Sequence, residues 1–284
     1  MGVMNITTVG IIAFILVLTV WLSFGYIIWK GNPTTEETSI AIVSRVIDGD
    51  TIELKNGERV RLLGINAPEI GQPFYKEAKN RLKEFIDGKT VTLEDDVKDK
   101  DQNGRLLRYI YIDDTFVNLE LLREGYANLY VIPPNTKHET ELRNAWKECL
   151  KRGANLCKHS ESYCDKCIGI VNFNWNAEGN DCYNLNDEYI IFRNTCSYPC
   201  DLTGWTVKDE GNNIYTFPRF TLKGGSTVTL YTGCGKNTET KLYWCNSKRA
   251  CNAVWNNNGD TLYLRDANGK LIIEHSYEGF REKW

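Results

Sequence analysis

Three short stretches hold the polar residues that interrupt an otherwise alternating, strand-like sequence. Asp48 and Asp50 lie in Ile-Asp-Gly-Asp-Thr, Arg61 and Glu69 bracket Arg-Leu-Leu-Gly-Ile-Asn-Ala-Pro-Glu, and Arg105 closes Asp-Gln-Asn-Gly-Arg. Carboxylate, amide and backbone oxygens of this kind suit a hard divalent cation. Guanidinium forks match the oxygens of a phosphate bidentately, which lysine cannot do. A glutamate beside such a cation can orient and deprotonate a water. Each residue also has an ordinary explanation. Asp-Gly-Asp forms turns, a strand arginine can be solvated, and Glu69 after Pro68 suits the first turn of a helix. The formal net charge of -3 over 284 residues excludes a uniformly basic coat for nucleic acid, so polyanion binding would fall to a local cluster of Arg and Lys.

The elements around these residues follow from periodicity. Apolar alternation gives strands over 41–46, 52–54 and 60–63, with Asp48-Gly49 and Asn56-Gly57 as the intervening turns. Phe74, Ala78, Leu82, Phe85 and Ile86 share one helical face between Pro73 and Ile86. Further strands are expected over 90–93, 106–112 and 127–131, a helix over 117–124, and a closing helix over 136–150 with Thr136 and Glu139 as its capping box. Among these, five strands with a helix after the third make the pattern of a closed Greek-key barrel of the OB type.

The three stretches, in this order on these elements, resemble the signature of the staphylococcal nuclease (thermonuclease) family over about Ser39 to Leu156, including Gly-Tyr-Ala-Asn-Leu-Tyr. The resemblance implies calcium (Ca2+) as cofactor, with Asp50, Asn66 and the Ala67 carbonyl as metal ligands. It implies Glu69 as the group that activates water, Arg61 and Arg105 as phosphate holders, and Tyr130 as a wall of the substrate groove. Asp101 either positions an arginine or caps a loop. DNA or RNA would be the substrate, cut to leave a 3′-phosphate. Well-known members carry Asp where this chain has Asn66, and Lys and Tyr where it has Gln102 and Asn103, so a weak calcium site is expected. A barrel that binds nucleic acid without cutting it, or an envelope scaffold, is the rival reading; retention of Arg61, Glu69 and Arg105 favours the enzyme.

Residues 9–29 are apolar and uncharged, enough at ~1.5 Å per residue to cross a ~30 Å bilayer core. A single-pass membrane anchor is expected over residues 1–30, followed by a linker over 31–39; the alternative, a cleaved signal peptide, lacks a basic start and a small-residue cleavage site. All 10 cysteines lie at or after Cys149. They point to disulfides and an extracytoplasmic catalytic domain, whereas Lys30 after the apolar run argues weakly for the cytoplasmic side. Cys149, Cys157, Cys164 and Cys167 leave zinc open as the lesser alternative. Cys196 with Cys200, and Cys234 with Cys245 or Cys251, are plausible pairs. The domains expected are thus a nuclease-like barrel over 40–157, a cysteine-containing hinge over 158–167, and an all-β immunoglobulin-like sandwich over 168–280. Asn-Asp-Glu-Tyr-Ile-Ile-Phe-Arg-Asn, Leu-Thr-Gly-Trp-Thr-Val-Lys-Asp-Glu and Ala-Val-Trp-Asn-Asn-Asn-Gly-Asp-Thr-Leu-Tyr-Leu are similar to the lamin tail domain family, which implies association with DNA, surfaces or envelopes. Trp205 and Trp255 are expected in the sandwich core. Oligomeric state is not legible from the sequence.

Overall fold

The structure, a computed structural model, describes residues 38–245 and 253–279. The expected membrane anchor, the expected linker up to residue 37, and Cys251 lie outside the described residues; Thr38 and Ser39, read as the end of the linker, are strand residues paired with Glu94 and Leu93. Among the described residues no helix is long and apolar enough to cross a membrane.

Five strands close into a barrel: β1 (Thr38–Val46), β2 (Thr51–Leu54), β3 (Arg59–Leu62), β5 (Thr90–Glu94) and β6 (Leu106–Ile112). Strand β1 is long because it serves two neighbours. Residues 38–42 pair with β5, residues 43–46 pair with β2, and a register shift between Val43 and Arg45 bends the strand from one sheet to the other. The parallel pairing of β3 with β6, Val60 opposite Leu106, completes the ring. The extended segment expected over 127–131 does not join this barrel. As β8 (Asn128–Tyr130) it pairs with β4 (Gly64–Asn66) in a separate ribbon, Gly64 opposite Tyr130 and Asn66 opposite Asn128. Gly64 is required there: its φ is +75°, and a Cβ would overlap the Leu142 side chain.

Helix α1 (Tyr75–Ile86) buries Ala78, Leu82 and Ile86, and α3 (Glu139–Arg152) buries Leu142, Ala145, Trp146 and Cys149, as the apolar spacing predicts. Between them, α2 (Val117–Arg123) follows the short strand β7 (Thr115–Phe116). The expected capping box is absent. Helix α3 starts one turn later than expected, His138 precedes it without a side-chain cap, and Thr136 contributes only its carbonyl, to the Glu139 N–H.

The second half is all-β. One four-stranded sheet has the order β16-β15-β10-β9, from Lys241–Tyr243, Thr227–Tyr231, Tyr189–Asn194 and Ile168–Asn174. The other has the order β13-β12-β17-β18, from Ile214–Thr216, Thr206–Lys208, Gly259–Arg265 and Leu271–Glu278. A short ribbon of β11 (Cys200–Asp201) and β14 (Thr221–Leu222) lies beside them. Both sheets contribute to one core, with Phe192, Leu230, Val207 and Leu262 among its members. Trp205 and Trp255 are buried in it, as expected.

The two halves do not meet at a loose hinge. Tyr263 and Leu271 of the second half belong to the barrel's own apolar cluster. Trp146 meets the Tyr263 ring edge-on and donates from Nε1 to Glu274 Oε1 at 2.8 Å. The buried Arg265 guanidinium donates to the Leu156 carbonyl and, at 2.9 Å, to Asn128 Oδ1. The connecting segment is itself bonded, Leu271 N–H to the Lys158 carbonyl and Ser160 N–H to the Leu271 carbonyl.

The cysteines form disulfides, which corrects the zinc alternative and one expected pair. Cys149 joins Cys157, Cys164 joins Cys200, Cys167 joins Cys196, and Cys234 joins Cys245. Cys182 is also disulfide-bonded. Cys196 and Cys200 are therefore not partners. Short sequence separation suggested that pair, but each of the two reaches back to the 164–167 turn, pinning the connecting segment to the sandwich. Non-reducing peptide mapping after thiol blocking should recover Cys164–Cys200 and Cys167–Cys196; a Cys196–Cys200 peptide would contradict this arrangement.

Candidate functional site

The β1–β2 turn presents the first carboxylates. Asp48 Oδ1 accepts from the Asp50 N–H at 3.1 Å, an Asx turn that fixes the loop. Burial first, and then the Asp50 charge, push the Asp48 carboxyl up to about 6. Asp50 is buried, with Oδ2 accepting from the Ala67 N–H at 2.7 Å and Oδ1 from Thr51 Oγ1 at 3.1 Å.

Arg61, in the middle of β3, ties the site together. Its Nη1 donates to the Leu62 and Ile65 carbonyls at 2.6 and 2.8 Å. Its Nη2 donates to Asn66 Oδ1 at 3.2 Å and pairs with Asp50 Oδ2 at 3.1 Å. Among the described residues only Nε is left without a partner.

Arg105 is held differently. Its Nε donates to Asp101 Oδ2 at 2.6 Å, while Asp101 Oδ1 accepts the backbone N–H groups of Arg105 and Asn103. Against the upward pull of burial, these bonds keep the Asp101 carboxyl below its usual range. Asp101 thus both positions the arginine and caps the loop. Arg105 Nη1 lies 3.5 Å from Thr51 Oγ1, and the rest of its fork is open on a side chain 31% exposed.

Asp50, Arg61, Asn66, Ala67 and Arg105 therefore come together where the β1–β2 turn, the β4–β8 ribbon and the 101–105 loop meet. Glu69 stands at the rim, exposed, and its carboxylate has no hydrogen-bond partner among the described residues; only its N–H is engaged, by Gln72 Oε1. Tyr130 lies opposite Gly64 in the ribbon. Its phenol pKa is raised by burial and then by Asp209, with Arg61 opposing.

That dependence on Asp209 exposes what the sequence did not show. The β12–β13 hairpin of the second half reaches the site. Asn66 Nδ2 donates toward the Glu210 carbonyl at 2.9 Å, the Gly211 carbonyl at 2.7 Å and Asn212 Oδ1 at 3.1 Å. The one available signal was compositional: Lys-Asp-Glu-Gly-Asn-Asn is a highly polar turn between apolar strands, which reads equally as a solvated loop.

The whole donor set is oxygen: the Asp50 carboxylate, the Asn66 amide oxygen, the Ala67 carbonyl and Glu69. That composition fits a hard cation such as calcium. It is a sparse site, because among the described residues no three His, Cys, Asp or Glu side chains group closely enough to hold a metal ion.

Residues 59–159 match the family model described as Staphylococcal nuclease homologue, and residues 168–279 match that of the Lamin Tail Domain. A thermonuclease of Staphylococcus intermedius is 36% identical over 162 residues, covering 52% of this chain and 96% of that protein. The chain belongs to the staphylococcal nuclease family. A Staphylococcus hyicus thermonuclease is 35% identical over 123 residues, 40% of this chain and 73% of that one. Endonuclease YncB of Bacillus subtilis (strain 168) is 40% identical over 112 residues, 36% of this chain and 53% of that protein.

Within this nuclease-family barrel the two arginines are expected to differ in what they support. Arg61→Ala leaves a buried carboxylate and two carbonyls without their donor, and should lower stability by about 2–4 kcal/mol. Arg105→Ala frees only a rim carboxylate and should change stability by under about 1 kcal/mol. Urea unfolding of the two variants checks this; equal effects would contradict the division.

Proposed function

We propose that this chain is a membrane-anchored, calcium-dependent nuclease that hydrolyses phosphodiester bonds of DNA or RNA. That it is a phosphodiester-hydrolysing enzyme follows from its family membership and from its thermonuclease and endonuclease relatives. The observation that carries the finer reading is the convergence of Asp50, Arg61 and Arg105 around Thr51, with the unengaged Glu69 carboxylate at the rim.

In this reading Arg105 presents its open fork to the non-bridging oxygens of the scissile phosphate. Arg61 adds its Nε and holds Asp50 in place. Glu69 takes a proton from water as the water oxygen bonds to phosphorus; the bond to the 5′ oxygen breaks with its electron pair going to that oxygen, which takes up a proton from solvent, leaving a 3′-phosphate and a 5′-hydroxyl. Asp50, Asn66 and the Ala67 carbonyl, with Glu69 beside them, would hold calcium, which when bound would supply positive charge against the negative charge that builds on the phosphate oxygens. Tyr130 lines the groove. An N-terminal anchor over 1–30 and linker over 31–39 would hold the barrel, residues 40–157, outside the cytoplasm, a placement the disulfides favour. The segment 158–167 joins it to an immunoglobulin-like lamin tail sandwich over 168–280, whose role is to place the enzyme on a surface or on its substrate.

Glu69→Gln should lower turnover on single-stranded DNA by at least ~10²-fold with the fold intact, and chelator should abolish activity of the unmodified enzyme. Near-normal turnover in folded Glu69→Gln, or cutting in excess chelator, would sink this mechanism.

Position 66 has a physical reason to be an amide. The hairpin offers it three oxygens, and a carboxylate there would face them with no proton to give. Asn66→Asp should therefore lower the melting temperature without calcium, at a cost of about 1–3 kcal/mol. The added charge also strengthens the cation site, so calcium should raise the melting temperature more in the variant than in the parent. Differential scanning calorimetry with calcium and with chelator decides it; a calcium response no larger than the parent's would remove residue 66 from the metal site.

A further inference from the structure

The β12–β13 hairpin brings a second group to the site besides its carbonyls. Lys208 ends β12, locked in register opposite Ile214 on one side and Tyr263 on the other. Tyr263 is part of the barrel's apolar cluster, so the strand carrying Lys208 is packed rigidly against the barrel. The Lys208 side chain is only 5% exposed. The charges that act on its ammonium are Asp209 beside it, Arg265 on the neighbouring β17, and Asp50 and Glu69 of the nuclease site. Two residues further on, the same hairpin accepts from Asn66 through the Glu210 carbonyl.

A buried lysine usually snorkels to water or closes an ion pair, because an unpaired ammonium away from water is costly. Lys208 closes none: among the described residues it makes no hydrogen bond or ion pair, and its Nζ is not among the atoms sealed from solvent. Asp50 and Glu69 act on its charge without pairing with it. Burial draws its pKa down to about 8, with Asp209 opposing, so the cation is still the main form at neutral pH. A cation held near a carboxylate that it does not pair with is free to take an anion, such as a phosphate oxygen, as its partner.

We propose that Lys208 is a phosphate-binding residue of the nuclease site, supplied by the lamin tail domain to hold the scissile phosphodiester together with Arg61 and Arg105. The proposal rests on the reading of Asp50, Glu69 and the arginines as the phosphodiesterase site. It makes the active site a joint product of both domains. The lysine's charge acts on the transferring group, where a preorganised donor in a site of reduced water contributes most.

The test uses Lys208→Met and Lys208→Arg in the full chain, assayed on single-stranded DNA at saturating calcium, with Glu69→Gln in parallel. Lys208→Met keeps the volume and removes a buried unpaired charge, so it should melt no lower than the parent. Its kcat should fall about 10- to 10³-fold with a smaller change in KM, and Lys208→Arg should recover part of the loss. Binding of a single-stranded oligonucleotide in chelator gives a readout independent of turnover: the slope of log affinity against log salt should shrink by about 0.7 in Lys208→Met, one phosphate contact fewer. Parental kcat and salt slope in Lys208→Met would overturn the proposal. Faster turnover would also overturn it, by showing that the lysine obstructs the site. If Glu69→Gln is inactive while Lys208→Met is normal, the Lys208 assignment alone fails; if Glu69→Gln is fully active, the underlying site reading is what has failed.

Discussion

The buried ion pair between Asp50 and Arg61 is the constraint from which the site is built. Arg61 spends four donors on Asp50, Asn66 and two carbonyls, so one guanidinium joins β3, the β1–β2 turn and the approach to the β4–β8 ribbon. A lysine in its place could not span these partners, because its donors radiate from one atom whereas the planar fork reaches several fixed directions. The pair also sets a cation against a buried carboxylate, where an unpaired charge would be costly.

From Asn66 the same network passes into the second domain. The amide accepts from Arg61 and donates to the hairpin, so it is the point at which the barrel and the lamin tail domain share a hydrogen-bonded path. Tyr263 and Leu271 in the barrel's core, Arg265 on Asn128 and the disulfides that pin 164–167 make this a fixed joint. A domain tethered by a flexible linker would deliver substrate; a domain fused to the rim of the site also shapes what the site can bind.

The sequence by itself determined the barrel, its helices and the short-range part of the site, for reasons that are local. Strand alternation, turn glycines and helical spacing depend only on near neighbours. Asp48, Asp50, Arg61, Asn66, Ala67 and Glu69 fall within 22 residues of one another, on adjacent strands and the turns between them, so reading the elements also places the side chains. Arg105 was legible because its loop follows from Asp101 and Gly104. Only the tertiary structure decided the rest. Cys164 and Cys167 find Cys200 and Cys196 across 36 and 29 residues, where spacing offers no preference. Lys208 and the Glu210–Asn212 turn lie more than 140 residues from Asn66, and a polar hairpin looks the same in sequence whether it faces water or an active site. What brings it there is the burial of Tyr263 and Leu271 against the barrel, a packing choice made by apolar surfaces that carry no trace of it in their local pattern.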